Sequence, residues 1–454
     1  MASNPQASGT LISPTAMEVV IVSSAVDVGI RCWELHSGVE RHQYRSCSSA
    51  PHGLLFVSGP FLFLAASQLP DAPSATSAPI FFWSWDKPQV EVRSFPAESI
   101  GPLISNAEGI YIIGGGSSGS IYLWEVFTGK LLKKWHAHYR SVNCLTLLKD
   151  DESLLISGSE DGSIKVWSLI MLFDDIAMAS AGNHYIYSFT EHSLGVTDIV
   201  SGHGLSNSII ISSSKDRTCK VWSLSKGELL RNITFPSVID AVAMDPGEHV
   251  FYAGGRDGKI YIAALNAEGN PNSPYGVFIL DTLIDHSKAV TSLALSKDGV
   301  TLVSGSEDGS VLVLNTTTKR VTRVLKHGKG PINNVVIATQ SPLCTSASAN
   351  KPPPPLSKYT DSAEGEVKTT AVIMVESPLH GHQNSRFRSA DVMEKLIQEL
   401  QKQNTSSAAE MELERLRLQY ERSAHLVLQW KKRYEDMQSV YVSELLDGKE
   451  MSGS

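Results

Sequence analysis

The 454-residue sequence predicts an all-β fold, a seven-bladed β-propeller, followed by a disordered linker and a C-terminal coiled-coil α-helix. Three observations carry this. A short phrase, a tight polar turn and then a β-rich run that usually ends in tryptophan, recurs seven times before Asn315. Composition shifts at about Thr339 toward Pro, Ser and Thr with few aromatics. Beyond Asp391, apolar residues recur at alternating three- and four-residue spacing.

The clearest copy of the phrase is Ser159-Glu160-Asp161-Gly162-Ser163-Ile164-Lys165-Val166-Trp167. Residues 306–314, 214–222 and 255–263 nearly repeat it, and 116–124, 25–33 and 77–85 are weaker copies. The marker positions are Trp33, Trp85, Trp124, Trp167, Trp222, Ala263 and Leu314, between 39 and 55 residues apart. Blade repeats of about 40–45 residues are usual, so the longer gaps imply loop insertions. One small four-stranded sheet cannot bury both faces, and stacking such sheets round an axis solves this. Asp161-Gly162, Asp257-Gly258 and Asp308-Gly309 are strong hairpin signals because both residue types accept φ > 0, and Asp216-Arg217 is a weaker one.

A second phrase places a His four residues before a Val that opens an apolar strand: His138…Val142, His192…Val196 and His286…Val290, with His327…Ile332 a looser copy. At this spacing His, a strand Ser or Thr, the turn Asp and the Trp can join in one buried hydrogen-bond network. The best set is His138, Ser157, Asp161 and Trp167. His192, Asp216 and Trp222, then Asp257, then His286 with Asp308, are assigned the same structural role. Ala263 and Leu314 replace Trp in blades 6 and 7, and blades 1 and 2 lack a clear Asp-Gly turn, so their networks are expected to be incomplete. Blade 1 also lacks an innermost strand upstream, and residues 332–338 read as that strand. The expected propeller spans 17–340 behind a flexible N-terminus at 1–16.

These repeats resemble the WD-repeat β-propeller family. The resemblance is moderate in any one repeat and specific in aggregate.

Several segments interrupt or follow the ring. Residues 170–189 read either as a partner-binding protrusion or as an outer loop packed on its own blade. Residues 69–79 and 266–276 read as surface loops. The linker, 341–390, holds Pro352-Pro353-Pro354-Pro355. Its one apolar run, Ala371-Val372-Ile373-Met374-Val375, is either a docking strand or a chance cluster. The helical segment, 391–447, starts with Asp391 as N-cap and Glu394 three residues on. Its seam is Leu413, Leu416, Tyr420, Val427, Trp430, Tyr434, Met437 and Tyr441. An isolated helix cannot satisfy such a seam, so it pairs with a second copy, pairs with a partner's helix, or folds back.

Composition narrows the function. A net charge of −8 and a pI of about 6.0 argue against binding to nucleic acid chiefly through net charge. Five cysteines, none in a Cys-x-x-Cys pair, suit a reducing compartment and disfavour a zinc site. The polar start, Met1-Ala2-Ser3-Asn4-Pro5, carries no secretory pattern. The most apolar stretch, 54–66, is too short to span a bilayer and contains Gly59-Pro60. Gly114-Gly115-Gly116-Ser117-Ser118-Gly119 lacks the Gly-Lys-Ser/Thr of a phosphate-binding loop and sits where a blade hairpin belongs. His and Asp recur once per blade and do not converge, so no catalytic residue, cofactor or metal is expected.

The whole layout, with its insertion after Val166-Trp167-Ser168-Leu169, resembles the WD-repeat subunit of the Rix-type complex that matures the large ribosomal subunit precursor. The carrying residues are Gly29-Ile30-Arg31-Cys32-Trp33-Glu34-Leu35, residues 157–169, and the helix at 412–446. The resemblance implies a scaffold that binds a helical-repeat subunit, docks on the pre-60S particle, supports spacer processing and recruits a remodelling ATPase. It implies a place in the nucleus, nucleolus and nucleoplasm, indirect or weak rRNA contact, no membrane, and links to chromatin and replication licensing. A homodimer through the C-terminal helix would set stoichiometry. Within plants, meristem formation and organ regeneration would depend on it. The rival reading is a ubiquitin-ligase substrate receptor or signalling adaptor.

Overall fold

The computed structural model describes residues 17–26, 28–58, 62–70, 77–149, 153–173, 185–203, 208–265, 278–328, 330–340 and 353–360. The expectations for 1–16, for Ala371 to Val375 and for the helix and seam at 391–447 lie outside these residues. So do the whole 266–276 loop, residues 71–76 of the 69–79 loop, and the linker apart from 353–360.

Among the described residues, 28 strands make seven four-stranded antiparallel sheets. Blade 1 joins Ile332–Gln340 to Met17–Ser24, Ile30–Glu34 and Glu40–Tyr44. Blades 2 to 7 are continuous in sequence, at 49–94, 100–136, 142–189, 196–234, 239–284 and 290–326. The first strand of each blade touches those of both neighbours, and the seven close a ring. Ile332–Gln340 is the seventh, antiparallel to Met17–Ser24 with Val19 opposite Ala338 and Val22 opposite Val335. The late strand therefore fastens the two ends of the propeller, and no inner edge is left open.

Burial is greatest in the two middle strands of each blade. Second strands such as Leu154–Ser159 lie between blades and are buried almost throughout. Fourth strands such as Arg320–Lys326 alternate, with one face on the core and one in water. The core is accordingly divided. Each of the seven blade-to-blade interfaces has its own apolar cluster, for example Val20, Trp33, Val303 and Ile332 between blades 7 and 1.

Register corrects one expected marker. Leu64 pairs with Trp83 as Leu155 pairs with Trp167, so Trp83 and not Trp85 is the blade 2 tryptophan. Trp85 lies just past the strand Ile80–Ser84, buried against His42 and Phe56, and its carbonyl accepts a bond from the Tyr44 hydroxyl at 2.6 Å. Two tryptophans two residues apart share a strand face, and without an Asp-Gly turn the spacing alone could not index them.

Three further features were not legible. Both ends of the 170–189 segment belong to blade 4. A single helical turn, Leu169–Phe173, puts Leu172 into the cluster of Trp135 and Trp167, and Tyr185–Phe189 is the blade's fourth strand. In blade 2, the first strand carries an excursion between Ser49 and Leu54. It sends His52 toward blade 5, where Nε2 lies 3.2 Å from the Thr197 carbonyl and Nδ1 3.8 Å from Asp198. Blades 2 and 5 are on opposite sides of the ring, so this side chain crosses the central channel. Finally, residues 353–360 of the Pro-rich stretch pack on the outside of the propeller, with Leu356 buried among residues of blades 2 and 3.

Candidate functional site

The hairpin between the second and third strands of blade 4 shows how the recurring phrase works. Gly162 sits at φ 84°, and a Cβ there would meet the His192 carbonyl at 2.8 Å. Asp161 Oδ1 accepts from the Ser163 backbone at 2.8 Å and from its hydroxyl at 2.6 Å, which locks the turn. The other carboxylate oxygen accepts from the Tyr139 backbone at 3.0 Å. Tyr139 lies in the loop arriving from blade 3, so each such network ties one blade's exit to the next blade's hairpin.

His138 follows the same plan. Its Nε2 is 2.7 Å from Ser157 Oγ, its Nδ1 is 2.8 Å from Ser163 Oγ, and Asp161 is 3.6 Å away. Trp167 Nε1 donates to Ser157 Oγ at 2.9 Å. Blade 5 is tighter. His192 Nδ1 lies 2.9 Å from Asp216 and its Nε2 2.9 Å from Ser212 Oγ, which also accepts from Trp222 Nε1 at 2.9 Å. A carboxylate only accepts, so Nδ1 of His192 carries the proton, and Nε2 accepts from the Ser hydroxyl. In blade 7, His286 bonds Asp308 at 3.2 Å and Ser304 at 2.8 Å, and Leu314 fills the Trp position.

Electrostatics agree with this assignment. Burial lowers the pKa of His138, His192 and His286, more than their Asp partners raise it. These rings are therefore neutral donors and acceptors, not cations. Burial opposes ionisation of Asp308, but bonds from Ser310, His286 and Ser287 outweigh it and hold the carboxyl at about 2. Asp161 and Asp216 are lowered in the same way. His327, buried in the blade 7–1 junction near Arg31, is pushed down to about 4.

Asp257 is not brought to a histidine. Blade 6 has Phe235, Ala253 and Ala263 at the three buried positions, and Asp257 instead accepts from the Tyr261 hydroxyl at 2.6 Å. Blade 3 uses a residue that sequence reasoning missed. Glu98 takes bonds from the Ser118 backbone at 2.5 Å, the Ser118 and Ser117 hydroxyls at 2.7 and 3.1 Å, and Tyr122 at 2.6 Å. The signal was a turn, Ser117-Ser118-Gly119, with no carboxylate of its own.

The His–Ser–Asp sets look like a nucleophile with its base and acid. Yet Ser157, Ser212 and Ser304 are wholly buried, and in blades 4 and 5 the serine oxygen already accepts an indole N–H. A buried serine repeated in three blades, its oxygen occupied by an indole in two of them, fits a fastening role better than that of a nucleophile. Among the described residues no group of side chains could hold a metal ion. None of the described helices is long and apolar enough to cross a membrane. Charged and apolar side chains face solvent beside the hairpins. Asn143 and Lys215 converge on Glu160 at 2.9 and 2.7 Å, Arg256 pairs with Asp240 at 2.8 Å, and Tyr139 and Leu194 are exposed.

Comparison with known proteins agrees with this geometry. The model of the WD domain, G-beta repeat, matches residues 129–168, 183–223 and 278–315. Each span runs from the fourth strand of one blade through the third strand of the next, and together the three contain the His–Ser–Asp sets. Protein ROOT INITIATION DEFECTIVE 3 of Arabidopsis thaliana is 49% identical over 448 residues, 94% of this chain and 98% of that protein. The chain belongs to this WD-repeat family. Human WD repeat-containing protein 18 is 31% identical across 77% of this chain and 79% of its own length. Pre-rRNA-processing protein IPI3 of Yarrowia lipolytica is 28% identical across 70% and 75%. The likeness to this WD-repeat family therefore extends well beyond the three blades that the repeat model matches.

Proposed function

We propose that the protein is a non-catalytic scaffold subunit in nuclear maturation of the large ribosomal subunit precursor, where it supports rRNA spacer processing. The single observation that carries this is family membership over nearly the full chain, in a family with a relative named for pre-rRNA processing. The structure supports the scaffold part: a rigid ring whose His–Ser–Asp sets are sealed, with charged and aromatic side chains on one face. Its proposed partners are a helical-repeat scaffold subunit, the pre-60S particle and a remodelling ATPase. The seam from Leu413 to Tyr441 is proposed to pair with a second copy. In a plant, meristem formation and organ regeneration would depend on this supply of ribosomes.

Depletion followed by hybridisation to pre-rRNA tests the reading. Spacer-containing precursors of the large-subunit rRNAs are expected to accumulate, and large-subunit assembly factors to co-purify with the tagged chain. Unchanged precursors, together with a purification free of assembly factors, overturn it.

A further inference from the structure

Blade 3 departs from blades 4 and 5 in a way that points outward. At the position of Ser157 and Ser212 it has Gly114, where a Cβ would meet the Trp124 ring at 3.0 Å. Trp124 therefore has no serine oxygen beneath it. Its Nε1 donates instead to the Ser357 carbonyl, 233 residues later, at 2.9 Å. The Ser357 backbone N–H donates to the Gly129 carbonyl at 2.7 Å, and the Leu356 N–H donates to Ser94 Oγ at 2.8 Å. The Leu356 side chain, 5% exposed, completes the apolar cluster of Trp124, Val126 and Leu131. At Gly129, φ is 70° and a Cβ would lie 2.6 Å from the Pro355 carbonyl, so only glycine lets the segment approach.

The pattern along the segment is informative. Pro353 and Leu356 are buried, while Pro354 and Pro355 are exposed. A spacing of three is the period of a polyproline II helix, in which every third residue shares a face. Proline restricts φ before docking, so little entropy is lost when the segment binds. Three main-chain hydrogen bonds and one apolar anchor are how proteins read short proline-rich peptides.

We propose that the groove between blades 2 and 3 is a binding site for a proline-rich peptide with a Leu anchor, and that its resident ligand is Pro353–Ser357 of the same chain. The orphaned Trp124 indole, Ser94 Oγ and the Gly129 carbonyl are its recognition groups. The bound segment lies against blades 2 and 3, although the last strand lies in blade 1. The site is independent of the ribosomal reading.

Hydrogen exchange on the full chain tests occupancy. The Leu356 and Ser357 amides are expected to exchange at least tenfold more slowly than an unstructured peptide, at a rate that does not change on dilution. Unprotected amides overturn the site, and protection lost on dilution overturns the cis ligand in favour of a second copy. The Leu356→Asp chain is expected to lose this protection while the strand amides keep theirs. A fluorescein-labelled peptide of residues 351–360 should then bind that variant at least tenfold more tightly than the native chain. The peptide carrying L356D should not bind. Equal anisotropy with both chains, or none with either, overturns the proposal. Trp124→Phe keeps the ring and removes the donor, and should raise Ser357 exchange even if L356D fails to fold.

Discussion

Blades 5 and 6 are neighbours with the same strand order and the same buried positions, yet they fasten their hairpins by different chemistry. Blade 5 buries His192, Ser212 and Trp222 in one hydrogen-bonded chain ending on Asp216. Blade 6 puts Phe235, Ala253 and Ala263 at those positions, and Phe235 packs edge-on against Tyr261 at 5.4 Å and Phe251 at 6.4 Å. The three buried members change together. A buried polar network is favourable when every member is satisfied and costly when one is left alone, and blade 6 avoids that cost by replacing all three. Blade 7 is intermediate. It loses only the tryptophan, the end member, and Ser304 still bonds His286.

The comparison can be broken in several ways. The largest effect is on closure, which both chemistries depend on. A chain ending at Thr318 loses Ile332–Gln340 and opens the inner edge of Met17–Ser24. It is expected in the insoluble fraction, and a soluble monomer would show that closure is dispensable.

Next comes the tryptophan. Trp222 is fully buried and stacks on Phe189 at 4.4 Å. Trp222→Ala should cost about 3–5 kcal/mol by urea unfolding, for lost burial and the cavity left behind. Leu314→Ala, in blade 7, should cost less, about 2–4 kcal/mol. Equal costs would mean that the indole bond to Ser212 adds nothing.

Acid is a third probe. The buried histidines have folded pKa values below the unfolded value, so the unfolded chain takes up protons first. Stability is then complete above about pH 6.5 and falls as pH drops below it. His327, moved from 6.5 to about 4, accounts for roughly 3 kcal/mol across that window. Asp308, lowered from 3.8 to about 2, extends the loss to lower pH. Thermal melts from pH 7.5 to 4 should shift steadily downward, and a flat profile rejects the neutral-histidine network.

A smaller contrast separates the two aspartates. Asp216→Ala leaves the buried His192 Nδ1–H only the Thr218 hydroxyl, 3.3 Å away, and should cost about 1–3 kcal/mol. Asp257→Ala leaves only the Tyr261 and Lys259 bonds unmade and should cost about 1 kcal/mol or less. The smallest effect has the opposite sign. Arg217 holds φ 65° where Gly162 and Gly258 stand in other blades, so Arg217→Gly should stabilise blade 5 by up to about 1 kcal/mol in the same assay.

How much was legible depended on how local the signal was. Asp161-Gly162 and His138…Val142 could be read because a hairpin and its capping loop lie within thirty residues. The tetrads of blades 4 and 5 were assembled from such pieces. Glu98 escaped because its turn offered hydroxyls and no carboxylate, so the acceptor came from another loop. Trp83, and not the marker Trp85, fills the blade 2 position because strand register is decided by pairing with Leu64, not by spacing. The Leu356 anchor was hidden in a stretch whose composition reads as linker, and the bond that reveals it joins residues 233 apart.

By itself the sequence determined the number of blades, the turns, the polar network in blades 4 and 5, and the need for a late strand to close blade 1. These follow from a repeat period, alternation and turn chemistry, all local properties. Only the tertiary structure decided that His52 crosses the channel, that blade 3 ties its turn to Glu98, and that Trp124 bonds the Pro-rich segment. Each joins atoms brought together by closing the ring, and no pattern along a chain encodes a distance across it.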